Sequence, residues 1–292
     1  MITKRALSPN QIATLNRYRA AIEARLQRGD VVLPVLPEIA SEVLAMSQDP
    51  DLNAQKLSSL IHRDQALAAN VLQVANSGIY MAGRPAVSLI QAVIRLGSTA
   101  ISEIAFGLAL GGKVFEAPGY EEEVQALWQH AAASGTYGRE MAAMLRANAE
   151  GQFLMGLLHT AGQAAVLQTI VHVQRGSGWP PLPGLYAFQL MQEYEVEAGV
   201  LVFEQWELPA AIASAGLYYR SPEAAGAHAT AVRMVYGADR LATWLIRPRT
   251  IRLDEIMQDP MYAKMGFSEA DMTRLIEMRS AVLDVVHLLT TR

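Results

Sequence analysis

The residues of this sequence whose types and spacing could do chemistry together are His130, the adjacent pair His159-Thr160, and Asp239. Imidazole nitrogens and carboxylate oxygens drawn from separate helices, with two neighbouring side chains supplied by one turn, are how a helical scaffold builds an oxygen- and nitrogen-ligated metal site. The second member of the adjacent pair is threonine, whose neutral hydroxyl brings no anion to a cation. The chain has no cysteine, which excludes disulfides, thiolate-bound zinc, cysteine-held iron–sulfur clusters and thiol nucleophiles. His, Asp and Glu remain as ligands. His172 and His287 are expected to be hydrogen-bonded core histidines rather than members of a site.

Other patterns carry less. Gly107-x4-Gly112-Lys113 matches most of a phosphate-binding loop, but Val114 supplies no hydroxyl for magnesium and the preceding residues read as helix, so small residues packing between helices is the expectation. The segment Ser98 to Leu110 follows a helix and Gly97 as a DNA-reading helix would. Glu103 is its one charged residue, so phosphate positioning has nothing to use and a buried helix is expected. Arg240, Arg247, Arg249 and Arg252 surround Trp244 and could hold a phosphorylated ligand or an acidic partner, although interleaved Asp239, Asp254 and Glu255 favour a solvated face. Gly178 to Gly184, rich in proline, reads as a stiff surface loop.

The elements that must position these residues read as helices throughout. Of 292 residues 51% are hydrophobic and 18% charged, enough apolar surface for a large core. Ser8, Pro9 and Gln11 predict the start of an amphipathic helix carrying Ile12, Leu15, Ile22 and Leu26 and ending at Gly29. Asn53, Asp64, Ser88 and Ser268 predict further helix starts, Gly97 a break, and the polar Glu116 to Glu123 a boundary. Single helices are expected over Val124 to Arg146, Gly151 to Gln174, Phe188 to Trp206, Pro209 to Tyr219, Ala227 to Ile246, and from Ser268 onward; Arg247 to Phe267 shows no helical period. No period-2 strand pattern occurs, so the fold class is all-α.

Twenty-four Lys and Arg against 28 Asp and Glu give a net charge of -4, opposite to the sign that nonspecific nucleic-acid binding needs. No secretory signal follows Lys4 and Arg5, and a cytoplasmic location is the simplest expectation. Gly151 to Gln174 lacks charge over a membrane-spanning length, yet His159, Thr160, Gln163, Gln168 and His172 suit a buried helix better than lipid.

Ordered motifs from Val31 to Ala242 resemble the HDOD family, the HD-related output domain of bacterial signalling proteins. They are Leu33-Pro34-x-Leu36-Pro37-Glu38, Ala75-Asn76-Ser77 followed by Tyr80, Ser88-Leu89-x2-Ala92-Val93-x2-Leu96-Gly97, Leu127-Trp128-x-His130, Gly156-Leu157-Leu158-His159-x2-Gly162, Gly199-x6-Trp206-x-Leu208-Pro209, and Ala238-Asp239-x-Leu241-Ala242. The resemblance implies a multi-helical bundle with an N-terminal helical lobe, residues 30–116, and a lobe similar to HD phosphohydrolases, residues 117–246. An amphipathic helix, 1–29, would precede them and a loop and helix, 247–292, would follow. By motif position His130, His159 and Asp239 look like three metal ligands of HD phosphohydrolases, with Thr160 where an aspartate belongs. Glu195 and Tyr218-Tyr219-Arg220 replace histidines common in the family, giving a more aromatic pocket.

The resemblance thus implies a noncatalytic regulatory module with no cofactor. It would recognise a protein partner of a signalling pathway or a nucleotide-like ligand through His130, His159, Thr160, Glu195, Tyr218, Tyr219 and Asp239. With no room for a receiver or cyclase domain, its input is expected from another chain. The alternative is a metal-dependent phosphohydrolase or phosphodiesterase with an altered divalent-metal site, Glu195 keeping one carboxylate in play.

Overall fold

The computed structural model describes residues 9–47, 49, 51–81, 83–111, 116–147 and 151–290, and these form an all-α fold. The first part comprises α1 (Pro9–Arg28), α2 (Glu38–Ser47), α3 (Ala54–Ile61), α4 (Gln65–Ala75), α5 (Leu89–Leu96) and α6 (Ser98–Leu110). Local chemistry starts several of them. Asn53, Asp64 and Ser88 each accept a hydrogen bond from the backbone three residues on, at 3.0, 3.0 and 3.3 Å, which satisfies an otherwise orphaned N–H of the first turn. Asn76 braces the following loop, accepting from the Ala86 N–H at 2.8 Å and donating to its carbonyl at 2.9 Å. Helix α6 is buried along most of its length, as its single charge predicts. Ser8, Gly112 and Lys113 lie outside the described residues.

The second part holds α7 (Glu121–Met144), α8 (Gln152–Leu158), α9 (Ala161–Ser177), α10 (Gly184–Gln205), α11 (Ala210–Tyr218) and α12 (Ala229–Ile246), with a 3-10 turn over Pro222–His228. Helix α7 is the axis: α8, α12 and, from the C-terminal region, α16 (Arg279–Thr290) pack on it. Two close approaches set the spacing. A Cβ on Gly156 would stand 2.6 Å from the Ser134 carbonyl oxygen, and one on Gly162 would stand 1.9 Å from that of Glu195. Only glycine lets α8 lie on α7, and α9 on α10, at these distances.

The expected single helix from Gly151 to Gln174 is two helices, broken at His159–Thr160. The apolar run suggested a membrane span by length alone, but 94% of its most apolar window is buried inside the fold. The helix expected from Ala227 starts at Ala229, after Gly226 adopts φ +56° inside the 3-10 turn. The final helix is likewise divided at Met278, into α15 (Glu269–Glu277) and α16; Ser268 and Asp271 form the capping box that starts it. The segment without helical period contains two short helices, α13 (Leu253–Met257) and α14 (Pro260–Met265). The amphipathic α1 docks on α9 and α10, where Tyr18 donates to the Pro180 carbonyl at 3.0 Å and meets Trp179 edge-on at 5.3 Å. The proline-rich loop is thereby pinned, and Leu182 within it is buried.

Candidate functional site

His130 comes from the middle of α7, His159 from the turn after α8 and Asp239 from α12. The buried His130 places Nε2 2.9 Å from Asp239 Oδ1, and His159 places its own Nε2 3.2 Å from the same oxygen. One ligand atom from each of the three lies within 4.8 Å of the others. His159 Nδ1 donates to the Gly156 carbonyl at 2.6 Å, so Nε2 carries the lone pair in the neutral ring, the tautomer of a metal ligand. The Nδ1 of His130 is buried with no hydrogen-bond partner among the described residues. Burial pushes the His130 imidazole below its ordinary range despite Asp239. Burial would raise the Asp239 carboxyl, but the two imidazoles against its Oδ1 hold it far below the usual carboxylate range.

Thr160 does not join this group. It lines a small, mainly apolar crevice with Leu127, Trp128, Leu157 and Ala164, because the turn that aims His159 at α12 sends the next residue toward α7. The donor set therefore fits one divalent cation, held by His130, His159 and Asp239, and lacks the second carboxylate that a pair of cations would share. Such an ion would supply Lewis acidity at that point.

Glu195, on α10, is buried beside this cluster. It accepts from Gln163 Nε2 at 2.5 Å and from the Tyr219 hydroxyl at 3.1 Å, and its Oε1 lies 2.8 Å from Arg220 Nε. Burial outweighs these partners and raises its carboxyl above the ordinary value. Tyr219 links the two groups, its ring edge-on to His159 at 4.8 Å and its hydroxyl on Glu195. Tyr218 is 38% exposed and does not line the cavity.

That cavity, of about 280 Å³, opens over Asp239 and is lined also by residues that the sequence reading did not assign to the site, among them Phe188, Tyr236, Arg240, Thr243 and Arg247. Their spacing along α12 carried the information: 236, 239, 240, 243 and 247 recur at helical intervals on one face. The basic cluster expected on a solvated face is thus split. Arg249 and Arg252 are exposed, whereas Arg240 Nε reaches Asp259 at 2.8 Å and the Arg247 guanidinium lies 4.6 Å above the Phe188 ring. His172 and His287 are exposed rather than core, since each falls on the solvent side of its helix.

Similarity to known proteins agrees with this architecture. No curated relative matches the sequence. A protein from Shewanella amazonensis SB2B, provisionally named a metal-dependent phosphohydrolase, is 21% identical over 95% of this chain and 98% of its own, with a TM-score of 0.70. An HDOD domain protein with unknown function from Geobacter sulfurreducens is 22% identical over 96% and 99%, with a TM-score of 0.66. One from Marinobacter aquaeolei VT8, provisionally named for signal transduction, is 21% identical over 96% of this chain and 66% of its own, with a TM-score of 0.61. The family model of the HDOD domain matches residues 33–222, well over half of the sequence, and the chain belongs to the HDOD family.

Proposed function

We propose that this protein is a noncatalytic regulatory module that acts by recognition, through a protein partner and a small ligand in the cavity over Asp239. The observation that carries this reading is the charge around the three donors. Among the described residues Asp239 is the one carboxylate that reaches the imidazoles, its Oδ1 already lies against the Nε2 atoms of both, and Arg247 stands in its field. A guanidinium beside the site opposes a divalent cation, and Thr160 contributes no anion to offset it. Without a strongly held cation, water activation for phosphate-ester attack lacks its driving force.

A metal-dependent phosphohydrolase is the second reading, favoured by the ligand tautomer of His159 and by the convergence of three donors. Purified protein offered zinc, manganese or ferrous iron separates the two. We expect substoichiometric metal and no cleavage of nucleotide monoesters or cyclic dinucleotides. Turnover abolished by a chelator and restored by one of these metals would establish the second reading.

A further inference from the structure

We infer that Arg247, with Arg220 in the lining of the same cavity, forms a binding site for a small phosphate-bearing ligand, of the size of a nucleoside monophosphate. The inference deepens the recognition reading above and rests on it for one point: the phosphate is held by protein guanidinium groups and not through a metal.

Arg247 closes α12 at its C-terminal cap. Its guanidinium lies over Phe188, in the cavity wall, and burial pushes its pKa down. Among the described residues no carboxylate comes within ion-pair distance of it and no acceptor takes its N–H groups. Arginine does not escape partial burial by losing its proton, so a half-buried guanidinium whose N–H groups meet no protein acceptor turns them to the cavity, where a ligand or water can take them. Asp239 attracts it through space, but the Oδ1 of that residue is already taken by two imidazoles. Arg220 contributes differently. Its Nε lies against Glu195 and the Tyr219 hydroxyl, which fixes the side chain, and at 48% exposure it leaves its outer nitrogens to the cavity and solvent. Arg240, the third guanidinium in the wall, is spent on Asp259.

Two guanidinium groups approaching from α12 and from the end of α11 suit a group with several acceptor oxygens better than a planar carboxylate, which one fork saturates. Thr243 and Gln192 add neutral polar groups to the wall, and Phe188 an aromatic face. About 280 Å³ is near the lower end of the volumes that hold small ligands, which suits a mononucleotide. The chain as a whole is acidic, so the attraction is local to this cavity and does not extend to a nucleic-acid backbone.

Calorimetric titration of the full chain with AMP, GMP, inorganic phosphate and the parent nucleosides, all in EDTA, tests the site. We expect a nucleoside monophosphate to bind at least about tenfold more tightly than its nucleoside, the loss of a charge-assisted contact being of that order. Phosphate alone should compete with it, and R247Q should weaken it about tenfold. R249Q, on the exposed side, should not change it. If R247Q fails to melt cooperatively, R220Q carries the same test. The proposal is overturned if neither monophosphate binds the wild-type chain, if binding ignores both substitutions, or if it requires added divalent metal. Since EDTA is present throughout, metal-supported turnover in a separate assay would remove the noncatalytic reading while leaving metal-free binding at Arg247 intact.

Discussion

Two carboxylates, Asp239 on α12 and Glu195 on α10, are joined through Tyr219 and His159 and behave in opposite ways. Asp239 is 23% exposed at its side chain and has an imidazole N–H or lone pair on either side; it is held as an anion. Glu195 is almost fully enclosed and has an arginine, a tyrosine hydroxyl and an amide, yet it is pushed toward its neutral form. Partner count does not decide between them. Partner strength does: burial opposes the charge at both, the two imidazoles overcome it at Asp239, and the arginine, amide and hydroxyl at Glu195 do not. The Asp239 end is therefore the one built to hold charge, and the Glu195 end is a packed hydrogen-bonded strut that ties α9, α10 and α11 together.

The largest effect should come from putting a third carboxylate where the family resemblance would want one. Thr160→Asp places an anion in the apolar crevice beside Trp128, and we expect it to cost about 3–4 kcal/mol in chemical denaturation, the order of an unpaired buried charge. A variant that instead stays stable, takes up stoichiometric metal and hydrolyses phosphodiesters would show that the turn at 159–160 can rotate, and would undo the contrast between the two ends. Next is Gly162→Ala, which drives a methyl into the Glu195 backbone. Separating α9 from α10 should cost about 3 kcal/mol. It should also break the Gln163–Glu195 bond while leaving the imidazole NMR signals of His130 little changed.

How much of this was legible in sequence follows from the range of the interactions. Asn53, Asp64, Ser88 and Ser268 start helices by bonding to backbone three residues away, so their role is written locally. The break at His159–Thr160 is not: nothing within the charge-free run 151–174 marks it, and the approach of Gly156 to α7 and of Gly162 to α10 makes the two halves lie where they do. His130, His159 and Asp239 were nominated by type and motif order, and they do converge. Thr160 and Tyr218 were nominated with them and face elsewhere, because an adjacent residue on a turn or at a helix end points about a quarter-turn or more away. Arg240 and Arg247 were read by charge density, which suggested solvent, when their register with Asp239 on α12 pointed inward.

Asp239→Asn sharpens the charged end. The amide keeps an acceptor for the imidazoles but loses the charge that strengthens both contacts, and we expect a loss of about 2 kcal/mol at neutral pH. Because the folded carboxyl is depressed, its contribution is fully present above the ordinary Asp value of about 4 and disappears as pH falls from there toward the folded value. Stability measured in urea between about pH 5 and 3 should therefore fall less steeply in Asp239→Asn than in the wild type. Identical slopes would mean that Asp239 is not held as an anion.

Glu195→Gln should have the smallest effect, and its sign is the informative part. With a raised folded value, Glu195 binds its proton more tightly in the native state than in the unfolded chain. Its contribution is thus complete below the ordinary Glu value of about 4 and is lost as pH rises through the folded one. Glutamine keeps the shape, still accepts from Tyr219 and never has to ionise. It leaves Arg220 without its partner, but that side chain is half exposed and water can replace much of the contact. We expect a net change under about 1 kcal/mol at neutral pH, in the stabilising direction, with the largest gain at the alkaline end of the folded range. A loss of several kcal/mol at neutral pH would show that the Arg220 pair outweighs burial, and that Glu195 is a second permanent anion beside the cavity.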